Sequence, residues 1–300
     1  MLRACGRTYE LGEGRPWLMG IVNATPDSFS DGGRHPTLEA RVALAHSLVG
    51  DGAQIIDVGG ESGVTNRPAV AADEETERVV PLIERVRAEL DVLVSVDTYK
   101  PAVARAAIAA GAAIVNDVSG LRDPALADVC ARTGAALVVM HTRAPPKQHL
   151  HDPDLYGDIV SEVVAFLRER LALARSHGMS EEQLIVDPGP DFSKTPAQTV
   201  ALLRGAVQLQ ELGRPVLMAL SRKDFIGALT ARAPGERGAG TLAALAHGLD
   251  AGAHIFRVHD VAAAADFLTV RAALRGELEV ARDLALPDAL RWESPADELQ

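Results

Sequence analysis

The chain has 300 residues, 47% of them hydrophobic, enough to bury one large core; barrels of alternating strands and helices use about 250 residues as a single domain. Thirty basic against 41 acidic residues give a net charge of −11, which excludes the basic surplus that non-specific nucleic-acid binding requires. Only Cys5 and Cys130 are present, without a CxxC pair, which argues against a disulfide framework or a cysteine metal site and fits a reducing compartment.

Met1 to Pro16 carries no apolar run ahead of a small-residue cleavage site. Nor does any stretch stay apolar for the roughly 20 residues that a membrane helix needs. A cytoplasmic protein with no membrane partner is expected. Aromatics are too scarce to interleave with basic residues as a stacking platform for single-stranded nucleic acid.

After this lead-in (1–16), short apolar runs alternate with alanine- and leucine-rich stretches of helical period. Trp17 to Val22 reads as a strand, Leu38 to Val49 as a helix, Gln54 to Val58 as a strand and Asp73 to Glu89 as a helix. Leu93 to Val96 is the third strand, Lys100 to Ala110 a helix, Ala113 to Val115 the fourth strand and Ala136 to Met140 the fifth. Arg143 to Tyr156, rich in Pro, His and Asp, reads as a long loop before a helix over Gly157 to His177. Leu184 to Val186, Val216 to Leu220 and His254 to Val258 complete eight strands, with helices over Thr195 to Leu212 and Gly240 to Ala251 between them. Fully apolar strands alternating with helices predict a parallel sheet covered by helices, and eight units favour closure into a single (β/α)8 TIM barrel over an open sheet. Arg275 to Gln300, acidic with two prolines, reads as a final helix and then a mobile tail from about residue 285, with one domain spanning 1–300.

Glycines mark the helix ends. Gly50-Asp51-Gly52-Ala53, Ala110-Gly111-Ala112, Gly134-Ala135 and Ala251-Gly252-Ala253 all precede strands, where a left-handed residue closes the helix and alanine leaves room for packing.

Polar residues fall at the strand ends, where barrel enzymes keep their chemistry. The strands end in turn at Asn23, Asp57, Asp97, Asn116, Met140-His141, Asp187, Ser221-Arg222-Lys223 and Arg257-Val258-His259. Asp57 and Asp117 have an alternative use as helix caps or acceptors for loop amides. His141 reads better as a packed, hydrogen-bonded histidine than as a ligand. Asp97 and Asp187 are stronger candidates for ligand contact, because a carboxylate at such a position must find donors or a cation; Lys223 is one candidate to neutralise them.

The set suits a flat polar heterocycle plus an anion. Asp187 can accept two N–H bonds from a guanidine-like edge, Asn116 offers donor and acceptor, and Lys223 can donate to a carbonyl or ring nitrogen. Arg257 and His259, two apart on one strand, project to one side and can grip a pyrophosphate. A magnesium ion would bind there mainly through phosphate oxygens, taking a side-chain oxygen from Asn23 and keeping several waters.

These residues resemble the dihydropteroate synthase family. The likeness runs from about Met19 to Leu268, and Met19 to Gly33 (MGIVNATPDSFSDGG) is its most specific motif. Asp57 to Ser62, Val94 to Thr98, Asn116-Asp117, Ser221-Arg222-Lys223 and Arg257 to Asp260 support it. The resemblance implies that 4-aminobenzoate displaces pyrophosphate from 6-hydroxymethyl-7,8-dihydropterin diphosphate to give dihydropteroate. It implies that Asp97, Asn116, Asp187 and Lys223 hold the pterin, with Met140 against its face. It further implies that Asn23 meets magnesium pyrophosphate, that Arg257 and His259 bind the leaving group, and that the protein is a homodimer joined through helices near the C-terminus. Two other readings share the scaffold: a pterin-binding paralogue without synthase activity, and a pterin-dependent methyltransferase.

The chain departs from the family pattern at three places near the expected aminobenzoate site. Gly63-Val64-Thr65-Asn66-Arg67-Pro68 replaces Thr-Arg-Pro-Gly, so Thr65 and Arg67 serve only if the loop is rearranged. The segment after strand six keeps Phe192 and Lys194 but loses two small residues. Asp224 replaces a serine, and two like charges about 4 Å apart repel by about 4 kcal/mol at an effective dielectric of about 20. A roughly thousandfold loss of aminobenzoate affinity is expected from it, with Lys223, Arg222 or helix amides available to offset it.

Overall fold

The computed structural model describes residues 1–11, 16–25, 37–63 and 68–291. A short antiparallel hairpin, β1 (Leu2–Ala4) with β2 (Arg7–Tyr9), leads into eight parallel strands. These are β3 (Trp17–Asn23), β4 (Ile55–Gly59), β5 (Leu93–Asp97), β6 (Ile114–Asp117), β7 (Ala136–Met140), β8 (Leu184–Asp187), β9 (Leu217–Met218) and β10 (Ile255–Val258). Their order is β8-β7-β6-β5-β4-β3-β10-β9, and a parallel bridge from Val186 to Val216 joins the two ends. The barrel expected from the apolar runs is therefore present, although its seventh strand shrinks to two residues beside that bridge.

Each strand is buried on both faces, which is why its sequence is almost continuously apolar. Leu18, Val22, Ile56, Val58, Val94 and Val115 face the helices, while Met19, Ile55, Ile114, Ile185, Leu217 and Ile255 fill the interior. The lead-in plugs the interior from below: Leu2 and Ala4 are buried in that inner cluster, and the Cys5 amide donates to the Gly134 carbonyl at 2.7 Å.

Around the barrel run α1 (Leu38–Gly50), α2 (Ala72–Glu89), α3 (Pro101–Ala109), α4 (Ala125–Thr133), α5 (Ile159–Ser176), α6 (Pro196–Arg204), α7 (Asp224–Thr230), α8 (Gly238–Asp250) and α9 (Val261–Leu274). Thr37, Asp158, Thr195 and Asp260 cap four of them with side-chain oxygens. Gly52, Gly111, Gly134 and Gly252 all have positive φ, as their place before strands required.

Two expectations need correction. The helix read over Thr195 to Leu212 breaks at Gly205 into α6 and a 3-10 stretch at Ala206–Leu212. A Cβ at Gly205 would collide with Val160 of α5, so the residue that permits close packing also weakens the helix. The last helix is α9, ending at Leu274. Beyond Arg275 the described residues form no α-helix, only a 3-10 turn at Asp288–Leu290. The end of the expected tail, 292–300, lies outside the described residues. No helix among the described residues is long and apolar enough to cross a membrane.

Candidate active site

Along several strands the inward rows end in polar residues at the C-terminal end. Ile55 is followed at a step of two by Asp57, Ser95 by Asp97, Ile114 by Asn116, Ile185 by Asp187, and Ile255 by Arg257 and His259. Asn23, Gly59, Asp97 and Asn116 stand opposite one another in register across β3 to β6. Gly59 keeps that row open: a Cβ there would lie 3.5 Å from Asn23 Oδ1 and 3.7 Å from the Asp97 Cβ.

Above this row is a cavity of about 540 Å³. Asn23, Asp97, Asn116, Met140 and Asp187 line its floor and walls, and Phe192, Lys223, Asp224, Arg257 and His259 line the remainder. The structure thus brings together ten of the twelve residues singled out from sequence. Thr65 and Arg67 lie outside the described residues, as does the part of the first motif from Pro26 to Gly33.

The floor is an ion-pair network. Arg257 donates from Nε to Asp57 Oδ2 at 2.6 Å and from Nη2 to Asp97 Oδ2 at 2.9 Å, while Asn116 Nδ2 donates to the same Asp57 oxygen at 3.1 Å. Burial pushes Asp97 above the usual carboxylate range, with Arg257 opposing and Asp57, Glu75 and Asp117 adding to it. Two carboxyl groups sharing one guanidinium gather hydrogen-bond acceptors here, suited to a ring that presents N–H groups. Asp57 is fully buried and is neither a helix cap nor an acceptor for loop amides. That use falls to Asp117, which accepts the Ser119 and Leu121 amides at 2.8 and 2.5 Å.

Asp187 accepts the Gly189 amide at 2.7 Å on Oδ1. Lys223 does not sit on a carboxylate: its ammonium lies 4.5 Å from the centre of the Phe192 ring, within cation–π range. Burial lowers its pKa, with Asp191 and Asp187 opposing. His259 has its Nδ1 3.0 Å from Ser221 Oγ, and burial beside Arg257, Arg222 and Lys223 pushes its pKa down to about 3. It is therefore a neutral hydrogen-bonding group, and Arg257 is the charged member of the pair.

Sequence reading assigned no role to Lys194, a lysine only 1% exposed. Its Nζ reaches the carbonyls of Gly189 and Phe192 at 2.8 and 2.9 Å and His141 Nδ1 at 2.9 Å. With His141 in the tautomer that accepts at Nδ1, these three groups match the three donors of an ammonium. His141 is the packed histidine expected, set edge-on to Phe166 at 4.8 Å and held neutral by burial with a pKa of about 2. The loop after β7 is stitched to the same segment: the Ala144 amide donates to Ser193 Oγ and the Tyr156 hydroxyl to the Ser193 carbonyl, each at 2.9 Å.

At the rim, Glu61 accepts from Lys100 Nζ at 2.6 Å, from the Tyr99 hydroxyl at 3.0 Å and from the Val70 amide at 2.8 Å, and Lys100 also pairs with buried Glu75. Burial opposes ionisation of Glu61, yet Lys100, the Val70 amide and Lys147 keep its pKa low. The departure at position 224 also finds its explanation. Asp224 opens α7 with its side chain 78% exposed, and Oδ1 accepts from Arg237 Nη1 at 2.8 Å, so the offset comes from a residue outside the set considered.

Among the described residues no group of three or more His, Cys, Asp or Glu side chains is placed to hold a metal. A protein cage is therefore absent there, and Asn23 at the cavity floor is the type of single oxygen donor that a phosphate-bound magnesium uses.

Comparison with known proteins agrees with this geometry. Residues 19–259 match the family described as pterin binding enzyme. The chain is 43% identical over 264 residues to a dihydropteroate synthase of Synechocystis, covering 87% of this chain and 90% of that one. A dihydropteroate synthase of Bacillus subtilis is 43% identical over 245 residues, covering 81% and 83%. Among solved structures, a dihydropteroate synthase of Xanthomonas albilineans with 4-aminobenzoic acid is 47% identical, with a TM-score of 0.83 over 91% of this chain and 98% of that one. The same organism's enzyme in complex with 7,8-dihydropteroate is 46% identical at a TM-score of 0.80, with the same coverage.

Proposed function

The chain belongs to the pterin binding enzymes, among the dihydropteroate synthases, and on that premise we propose how its own side chains carry the reaction. It is a transferase: 4-aminobenzoate and 6-hydroxymethyl-7,8-dihydropterin diphosphate give dihydropteroate and pyrophosphate. The observation that carries the site assignment is the inward row, which turns polar at one level around the barrel mouth.

The pterin lies on the floor, its amino and ring N–H groups donating to Asp187 and Asp97. Asn116 and Lys223 meet its polar edge, and Met140 packs on its face. The diphosphate points toward Arg257 and neutral His259, both of which line the cavity. Asn23 would supply one oxygen to a magnesium ion held chiefly by the diphosphate, and that ion would neutralise charge on the leaving group. The amine nitrogen of 4-aminobenzoate forms a bond to the methylene carbon, the carbon–oxygen bond breaks with its electron pair going to pyrophosphate, and the spare amine proton passes to solvent. Positive character that develops at the methylene is spread into the pterin, which the carboxyl groups of the floor hold. Catalysis is positional and electrostatic, with no protein nucleophile.

Exposed Val270 and Leu274 on α9 support a homodimer through that face, and two free cysteines, Cys5 and Cys130, support a reducing cytoplasm. The decisive test is pyrophosphate release from dihydropterin diphosphate and Mg2+ with and without 4-aminobenzoate. Release that depends on aminobenzoate is expected. Pterin binding without such release would leave a paralogue that has lost the condensation.

A further inference from the structure

We propose that Asp57 is a positioning residue that joins the pterin subsite to the diphosphate subsite through a single carboxylate oxygen. The inference rests on the assignment of Asn116 to the pterin and Arg257 to the diphosphate. Asp57 itself is fully buried beneath the cavity. From β4 it binds residues 59 and 200 positions away in sequence, on β6 and β10.

Its effect on each partner differs. An asparagine amide has two ends that differ only in donor and acceptor character, and a neighbour must choose between them. Because Asp57 accepts from Asn116 Nδ2, the carbonyl oxygen is the end left to accept a ring N–H. A pure donor such as lysine at position 57 would reverse that preference. For Arg257, the contact on Nε and that of Asp97 on Nη2 fix the guanidinium plane at two points. The same Oδ2 atom serves both partners, so the orientation of the pterin acceptor and that of the phosphate donor are set together.

The register explains how this position can do so. Asp57 stands opposite Ile21 and Ser95, one inward step below the row of Asn23, Asp97 and Asn116. From there a short side chain reaches across the barrel axis without entering the cavity. A glutamate, one methylene longer, would carry that shared oxygen away from both partners at once.

Two probes separate the subsites: 6-hydroxymethylpterin, which lacks the diphosphate, and magnesium pyrophosphate. Binding of each is measured by calorimetry to the wild type, Asp57→Asn, Asn116→Ala, Arg257→Met and the doubles Asp57→Asn/Asn116→Ala and Asp57→Asn/Arg257→Met. Asp57→Asn is expected to weaken both probes about tenfold or more, Asn116→Ala the pterin, and Arg257→Met pyrophosphate. In the Asn116→Ala background Asp57→Asn should cost the pterin little more, while pyrophosphate still weakens; the Arg257→Met background should give the converse. A general loss of packing would instead add to every single variant, and additive losses or weakening of one probe alone would overturn the inference. An Asn116→Ala or Arg257→Met variant that keeps its probe at wild-type strength overturns the subsite assignment first, and the coupling with it. If Asp57→Asn does not fold, Asp57→Glu goes through the same cycles with the same expected coupling.

Discussion

Asp191 caps the helix that begins at Asp224: its Oδ2 accepts the amides of Asp224 and Phe225 at 2.6 and 3.3 Å. The N-cap residue of α7, Lys223, makes no side-chain cap bond of its own, so the carboxylate is borrowed from the loop after β8. The other oxygen of Asp191 accepts the Thr199 hydroxyl at 3.0 Å and ties the cap to α6. Asp224 and Asp191, which lies in the segment after strand six that departs from the family pattern, are therefore parts of one local arrangement.

That arrangement changes what Asp224 should do. A side chain 78% exposed and paired with Arg237 is screened by solvent and by its partner. Asp224→Ser should alter KM for 4-aminobenzoate by less than about fivefold, the scale of an exposed ion pair, rather than the thousandfold expected from bare repulsion. Arg237→Met should raise that KM, and Asp224→Ser in the same chain should restore it. A thousandfold fall in KM for Asp224→Ser alone would mean that the carboxylate faces the substrate.

Lys194 gives a pH signature. Burial pushes its pKa down to about 7, with Lys223 and Arg143 adding to the shift and Asp187 and Asp191 opposing. Between there and the ordinary lysine value of about 10.4 the unfolded chain holds a proton that the folded chain does not. The contribution to stability therefore rises with pH across that window and is flat below it. Lys194→Met removes the titration, so the difference in unfolding free energy, wild type minus variant, should grow from pH 7 to pH 10 in urea titrations. Parallel curves would show that Lys194 stays charged when folded.

How far the sequence revealed all this depended on periodicity. The step of two that separates Ile185 from Asp187 and Ile255 from Arg257 is readable without coordinates, and it sets Asp97, Asn116, Asp187, Arg257 and His259 at one mouth, whereas Phe192 and Asp224 come from the family resemblance. Asp57 obeys the same step after Ile55. Its role stayed ambiguous because a carboxylate before a helix is also a cap, and only the distance to Arg257 decides between the uses. The role of Lys194 could not be found by pattern: its partners are the carbonyls of Gly189 and Phe192, which carry no sequence identity. Arg237 lies 13 residues beyond Asp224 across a helix, and nothing local marks their pairing. The hairpin at Leu2 to Tyr9 was likewise hidden, because three-residue strands are shorter than any periodic signal.

The pterin floor makes a direct prediction. Asp187 is 3% exposed, and Lys223 faces it across the cavity beside Phe192. Asp187→Ala or Lys223→Ala should each weaken pterin binding by about 10- to 100-fold, the loss that follows when a buried partner goes unpaired at about 1–3 kcal/mol. Asp187→Asn should retain the bond from the Gly189 amide and fold normally while still losing pterin affinity. Wild-type affinity in both alanine variants, measured by fluorescence titration, would remove the pterin from this floor.

Gly189 is where the backbone itself is constrained. Its φ is +64°, its amide donates to Asp187 and its carbonyl accepts from Lys194, and a Cβ there would fall on the carbonyl oxygen of His141. Gly213 has almost the same φ, +63°, and a methyl group added to it would meet nothing within 4 Å. Gly213→Ala should therefore cost only the left-handed penalty of about 1–2 kcal/mol, and leave pterin binding intact. Gly189→Ala pays the same penalty and must also move the backbone that orients Asp187 and anchors Lys194. It should lower the melting temperature further and abolish pterin binding. Equal melting temperatures for the two variants would mean that the loop after β8 can shift at no cost, and that the buried lysine does not hold it in place.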